Sequence, residues 1–115
     1  METNETNNEG PTIELVMYRK NTIIKLKKIS CDITKELLDA KLITQSTYET
    51  LIKRIKKNFN ITQLNIIITM LTKALYLGAD VNITIIENEL IKEEEMRKKI
   101  EQMYPKIYTT INNYL

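Results

Sequence analysis

Histidine and tryptophan are absent from this 115-residue chain, and cysteine occurs once. One cysteine cannot form an intrachain disulfide, which excludes a disulfide-stapled secreted scaffold. No Cys/His set exists to hold zinc, and no imidazole to serve as general base or triad member. Cys31 would need an activating partner to act as a nucleophile, so it reads as a small apolar residue of the interior. Two glycines and two prolines are too few for an all-β design, which needs turn residues at short intervals. Gly10 and Gly78 lie too far apart to make a phosphate-binding loop. No apolar run approaches the ~18 residues of a membrane span. Residues Met1 to Gly10 are acidic and polar, unlike a signal peptide, so a reducing, cytoplasmic setting is expected. No cofactor or metal is implied, and enzymatic activity is not expected.

Apolar side chains supply 43% of the sequence, enough to bury a core in one domain of this length. Isoleucine, asparagine, lysine and threonine are abundant, the codon signature of an AT-rich genome. Residues 1–11 have little apolar surface to offset their ordering entropy and read as a disordered acidic tail. Residues 12–104 read as one helical domain, and 105–115 as a C-terminal extension.

A first helix is predicted from about Thr12 to Ile29. Ile13, Val16 and Met17 form an apolar stripe that Ile23, Ile24 and Leu26 continue out of phase, so a bend or break is expected near Asn21-Thr22. A second helix, about Asp32 to Lys41, turns Ile33, Leu37 and Leu38 inward. In a third, Ser46 and Glu49 have capping-box spacing, and Tyr48, Leu51, Ile52 and Ile55 share one face as far as Lys57. The fourth, capped by Thr62, carries Leu64, Ile67, Ile68, Leu71, Ala74 and Leu75 with helical spacing and ends at Gly78. Val81 to Leu90 is read as a short fifth helix, with strand as the alternative because it is rich in β-branched residues. A sixth starts near Lys92, with Glu93, Glu94 and Glu95 in a solvated first turn, and ends at Pro105. Ile107, Tyr108, Ile111, Tyr114 and Leu115 either pack back on the domain or form a partner-binding tail. The expected fold is therefore all-α, a six-helix antiparallel bundle.

Charge is unevenly placed. Residues 14–57 hold 11 basic and 5 acidic side chains, against 6 and 7 in residues 58–115. A basic half under a net charge of +2 is the footprint of an electrostatic partner, either nucleic acid or an acidic protein surface.

Arg19-Lys20-Asn21, then Ser30-Cys31, then Leu37-Leu38-Asp39-Ala40 with Ile43 before the turn Thr44-Gln45-Ser46, resemble the first half of a caspase recruitment domain (CARD). The likeness is nearest to the CARDs of the cellular inhibitor-of-apoptosis proteins and covers about Met17 to Leu90. It implies the six-helix death fold with a bent or split first helix. It also implies a non-enzymatic module that binds another CARD in apoptosis or innate-immunity signalling. Such domains pair a basic surface with an acidic one. The matching basic positions here are Arg19, Lys20, Lys25 and Lys73. The matching acidic positions are Asp32, Glu36, Asp39 and Glu49. Lys53, Arg54, Lys56 and Lys57 make the third helix more basic than an acidic patch requires, which favours this chain as the basic partner. A stand-alone CARD can act as a viral decoy inhibitor or as a small adaptor.

The alternative is a small basic helical nucleic-acid-binding protein, with Tyr48 to Lys57 as recognition helix. A third reading is self-association through Ile85, Ile107, Tyr108 and Tyr114.

Overall fold

A computed structural model describes residues 12–57 and 59–114, Tyr114 by its backbone alone; the acidic tail expected over residues 1–11 lies outside them. Five α-helices are present among the described residues: α1 (Ile13–Asp39), α2 (Gln45–Ile55), α3 (Ile61–Leu77), α4 (Ile83–Met103) and α5 (Pro105–Tyr114). None is long and apolar enough to cross a membrane.

The largest departure from the sequence expectation is α1. It runs unbroken through Asn21-Thr22 and through Ser30-Cys31, where a break and a joint were expected. The unbroken helix accommodates Ser30 and Thr34. Both are fully buried, and each hydroxyl donates to the carbonyl one turn back, Ser30 to Leu26 at 2.8 Å and Thr34 to Ser30 at 2.7 Å. Polar groups that disfavour a helix interior are thereby satisfied by the helix itself. Leu15, Arg19, Ile23, Leu26, Ser30, Thr34 and Leu37 form its shielded stripe. Ile13, Met17 and Ile24, expected inward, are exposed instead.

Helix α1 packs most extensively on α3, then on α2. The core joins Leu37 of α1, Ile43, Leu51 and Ile55 of α2 and its approach, Ile67 and Leu71 of α3, and Ile86 and Leu90 of α4. Each such side chain contributes roughly 1.5–3 kcal/mol on burial. The core is thus gathered at the C-terminal half of α1. Its N-terminal half meets α5 in a smaller contact and is otherwise largely exposed, and the molecule is a rod of 56 × 28 × 22 Å. Its radius of gyration, 16.9 Å, exceeds the ~13 Å of a compact domain this long.

Caps set the boundaries. Thr12 opens α1, its Oγ1 accepting from the Leu15 N–H at 3.1 Å. The cap of α2 is Thr44 rather than Ser46, accepting from Thr47 N–H at 3.1 Å. This choice places Ile43 just before the cap and Tyr48 four residues after it, both packed in the core, as in a hydrophobic staple. Likewise α3 is capped by Asn60, not Thr62, in a reciprocal box with Gln63. Asn82 caps α4, which continues past Leu90 to Met103, so the expected fifth and sixth helices are one. Pro105 ends α4 and opens α5, since a first-turn proline loses no needed donor. The C-terminal segment is helical and touches α1 and α4, with Tyr108 half-buried but Ile107 and Ile111 exposed; the Tyr114 side chain and Leu115 lie outside the described residues.

One hydrogen-bond pattern closes both α1 and α3. Leu42 N–H donates to Leu37 O and Lys41 N–H to Leu38 O; Ala79 N–H donates to Ala74 O and Gly78 N–H to Leu75 O. The pattern needs a left-handed residue, Gly78 at φ 65° and Lys41 at φ 61°. Glycine adopts that conformation freely, whereas lysine does so at a cost. Lys41→Gly is expected to raise the stability by about 0.5–1 kcal/mol, read as a higher urea midpoint at unchanged slope. A lower midpoint would contradict the left-handed turn.

Candidate interaction surfaces

The structure distributes the charged positions unequally. Arg19 is half-buried, and its guanidinium donates to the carbonyls of Asn112 at 3.0 Å and Asn113 at 3.1 Å. A cation at the negative end of α5 suits the helix dipole and ties that helix to α1. Arg19 is therefore committed within the molecule. Lys20 and Lys25 are exposed but lie about 140° apart around a helix of 3.6 residues per turn. Lys73 is exposed on α3, beside a groove shared with α4. The four basic positions do not form one patch.

The acidic positions fall differently. Asp32, Glu36 and Asp39 share one exposed face at the C-terminal half of α1, the same helix that carries the basic positions. Lys28 bonds Asp32 and Lys35 bonds Asp39, each at 2.9 Å and one turn apart. Their hydrogen bonds to the carboxylates raise both ammonium pKa values. Solvent screens such exposed pairs, so they contribute little to stability. Glu36 has no ion-pair partner among the described residues. Glu49 is exposed on α2, where the Gln45 amide donates to it at 3.1 Å.

Two ion pairs passed unrecognised in the sequence. Arg54, counted there with the basic crowd on the third helix, makes a bidentate pair with Glu87 of α4, both bonds 2.6 Å, and lies 5.1 Å from the Phe59 ring centre. This pair links α2 to α4 and removes a guanidinium from the recognition face a nucleic-acid reading needs. Glu93, expected in a solvated turn, is buried mid-helix and receives Arg97 Nε at 2.9 Å. Its other oxygen has no partner among the described residues. A spacing of four in Glu93-x-x-x-Arg97 was the available signal, masked by the neighbouring Glu94 and Glu95.

Cys31 is half-buried rather than interior. Burial pushes its thiol up from the ordinary value and the Asp32 carboxylate adds to this, against the opposing Lys56 and Lys27 charges. A thiol so held is a weak nucleophile at neutral pH.

Apolar side chains are also displayed. Ile13, Met17 and Ile24 on α1, Met96 and Met103 on α4, and Ile107 on α5 all stand in solvent. Of the residues expected in a self-association surface, Ile85 and Ile107 are exposed and Tyr108 is half-buried; the Tyr114 side chain lies outside the described part of the chain. Comparison of the chain with protein-family models, with curated proteins and with solved structures finds no match.

Removing one member of the buried pair should cost more than removing both. Arg97→Met is expected to lose about 2–3 kcal/mol, because it strands the Glu93 carboxylate. The double variant Glu93→Met/Arg97→Met should regain most of that loss in urea denaturation. Additive losses would show that the carboxylate is not shielded.

Proposed function

We propose that the chain is a protein-interaction module without chemistry of its own, whose partner is a CARD of an apoptosis or innate-immunity signalling protein. The observation that carries the reading is the charged face of α1. Lys25, Lys28, Asp32, Lys35, Glu36 and Asp39 follow one another along it, all exposed. Because its internal pairs are weak, a partner helix of reciprocal charge can exchange them without unfolding anything. The exposed apolar side chains of α1, α4 and α5 leave surface available to a partner. The CARD partner class rests on the Arg19-Lys20-Asn21, Ser30-Cys31 and Leu37-Leu38-Asp39-Ala40 likeness alone. Acting alone, such a module occupies a CARD surface and blocks assembly, the behaviour of a decoy.

The test is binding of the purified chain to a panel of isolated CARDs and to a mixed-sequence DNA duplex. Lys25→Glu and Glu36→Lys should each weaken binding to a selected CARD by about tenfold, or about 1.4 kcal/mol. Lys98→Glu, at an exposed position of α4, should leave it unchanged. DNA binding that Glu36→Lys strengthens, with no CARD selected, would overturn the proposal.

A further inference from the structure

A second surface, separate from the charged face of α1, lies between α3 and α4. It is an open groove of about 800 Å3. Ile66, Met70, Ala74, Val81, Ile85 and Ile86 give it an apolar lining. Leu77 and Ile85 are 61% and 50% exposed there, so apolar surface faces water along the cleft. Helix α3 lines it from Thr62 to Leu77, a length of about 22 Å or four helical turns.

The two walls differ in charge. The α3 wall carries Lys73, while the α3–α4 loop carries Asp80 and the α4 wall Glu89. Among the described residues neither Lys73 nor Asp80 has an ion-pair partner, and Glu89 shares only exposed Lys92 at 3.2 Å. We propose that this groove receives one amphipathic α-helix of a partner protein. That helix is apolar along the face it buries, with a carboxylate on the flank toward α3 and a basic side chain on the flank toward Asp80 and Glu89.

Backbone chemistry selects a helix. The long walls are α3 and α4, whose main-chain groups are paired within each helix, and residues 79–82 between them are a loop, so no sheet edge is offered to a strand. An extended peptide would bring unpaired N–H and C=O groups against apolar side chains, whereas a helix satisfies its own. Four turns of groove suit apolar anchors at i, i+4, i+7 and i+11. Met70 supplies a flexible surface that adapts to their shape.

Neither residues 1–11 nor α5 of a second copy fits the groove better. Residues 1–11 contain one large apolar side chain, Met1, and cannot supply a stripe. The α5 of a second copy has Ile107 and Ile111 exposed, but its one charge is Lys106, which leaves Lys73 unmatched.

Three fluorescein-labelled helical peptides of about 18 residues test the proposal. They share one leucine stripe and differ in their flanks: glutamate on one side and lysine on the other, lysine on both, or glutamate on both. Fluorescence anisotropy with the full chain should show the mixed peptide binding about tenfold more tightly than either other. Lys73→Glu should transfer the preference to the all-lysine peptide. Met70→Arg and the more exposed Ile85→Arg should each abolish binding while the helical circular dichroism and melting temperature of at least one are retained. Equal affinity for all three peptides, or no binding by the mixed one, would overturn the proposal. So would self-assembly in sedimentation that Ile85→Arg removes, because the groove would then belong to a second copy.

Discussion

Burial of two hydroxyl groups inside α1 is the constraint on which the rest of the molecule depends. Ser30 and Thr34 sit fully shielded on the seam that α1 presents to the bundle. Their hydroxyls are satisfied by carbonyls of the same helix, so no partner helix need supply a polar group. The side chains are small, which lets a neighbouring helix come close. An unbroken helix of 27 residues results, and α3, α2 and α5 are arranged along it. Had Ser30 and Cys31 formed a joint, the chain would have folded into a shorter and rounder bundle.

The rod shape separates two tasks. One end holds the apolar core, where Leu37, Ile55, Leu64, Ile67 and Leu71 are essentially inaccessible. The other end is held by lighter means, chiefly the Arg19 guanidinium on the last carbonyls of α5. Exposed isoleucines and methionines concentrate toward that second end, on α1, α4 and α5. An arrangement in which the stable part does not use the outer faces of its helices leaves those faces exposed. The charged strip of α1 and the groove between α3 and α4 are two such faces.

Much of the core was legible in the sequence, because periodicity and burial agree over α2, α3 and the start of α4. Leu51 and Ile55, Ile67 with Leu71, and Ile86 with Leu90 sit where their spacing put them. Gly78 announced its turn, since glycine alone signals a left-handed residue in composition. Lys41 makes the same turn silently, because nothing in lysine's chemistry marks it. The joined helices were illegible for a related reason. Ser30-Cys31 read as a joint and Lys92 as a fresh start, and tertiary packing carries one helix through each. Of the site positions, exposure of Lys20, Lys25 and Glu36 follows from the pattern, but the capture of Arg19 by α5 depends on a contact 93 residues away in sequence. No local signal reports such a contact.

Continuity of α1 across Ser30 to Thr34 carries this account, and native-state hydrogen exchange reads it directly. In one unbroken helix the amides of Asp32, Ile33 and Thr34 donate to carbonyls one turn back. They should exchange as slowly as the amides of the core residues Ile67 and Leu71 in α3, opening only with global unfolding. In two separate helices those three amides would belong to a first turn without intrahelical acceptors. Rapid exchange confined to Asp32, Ile33 and Thr34, with the rest of α1 protected, would contradict the account.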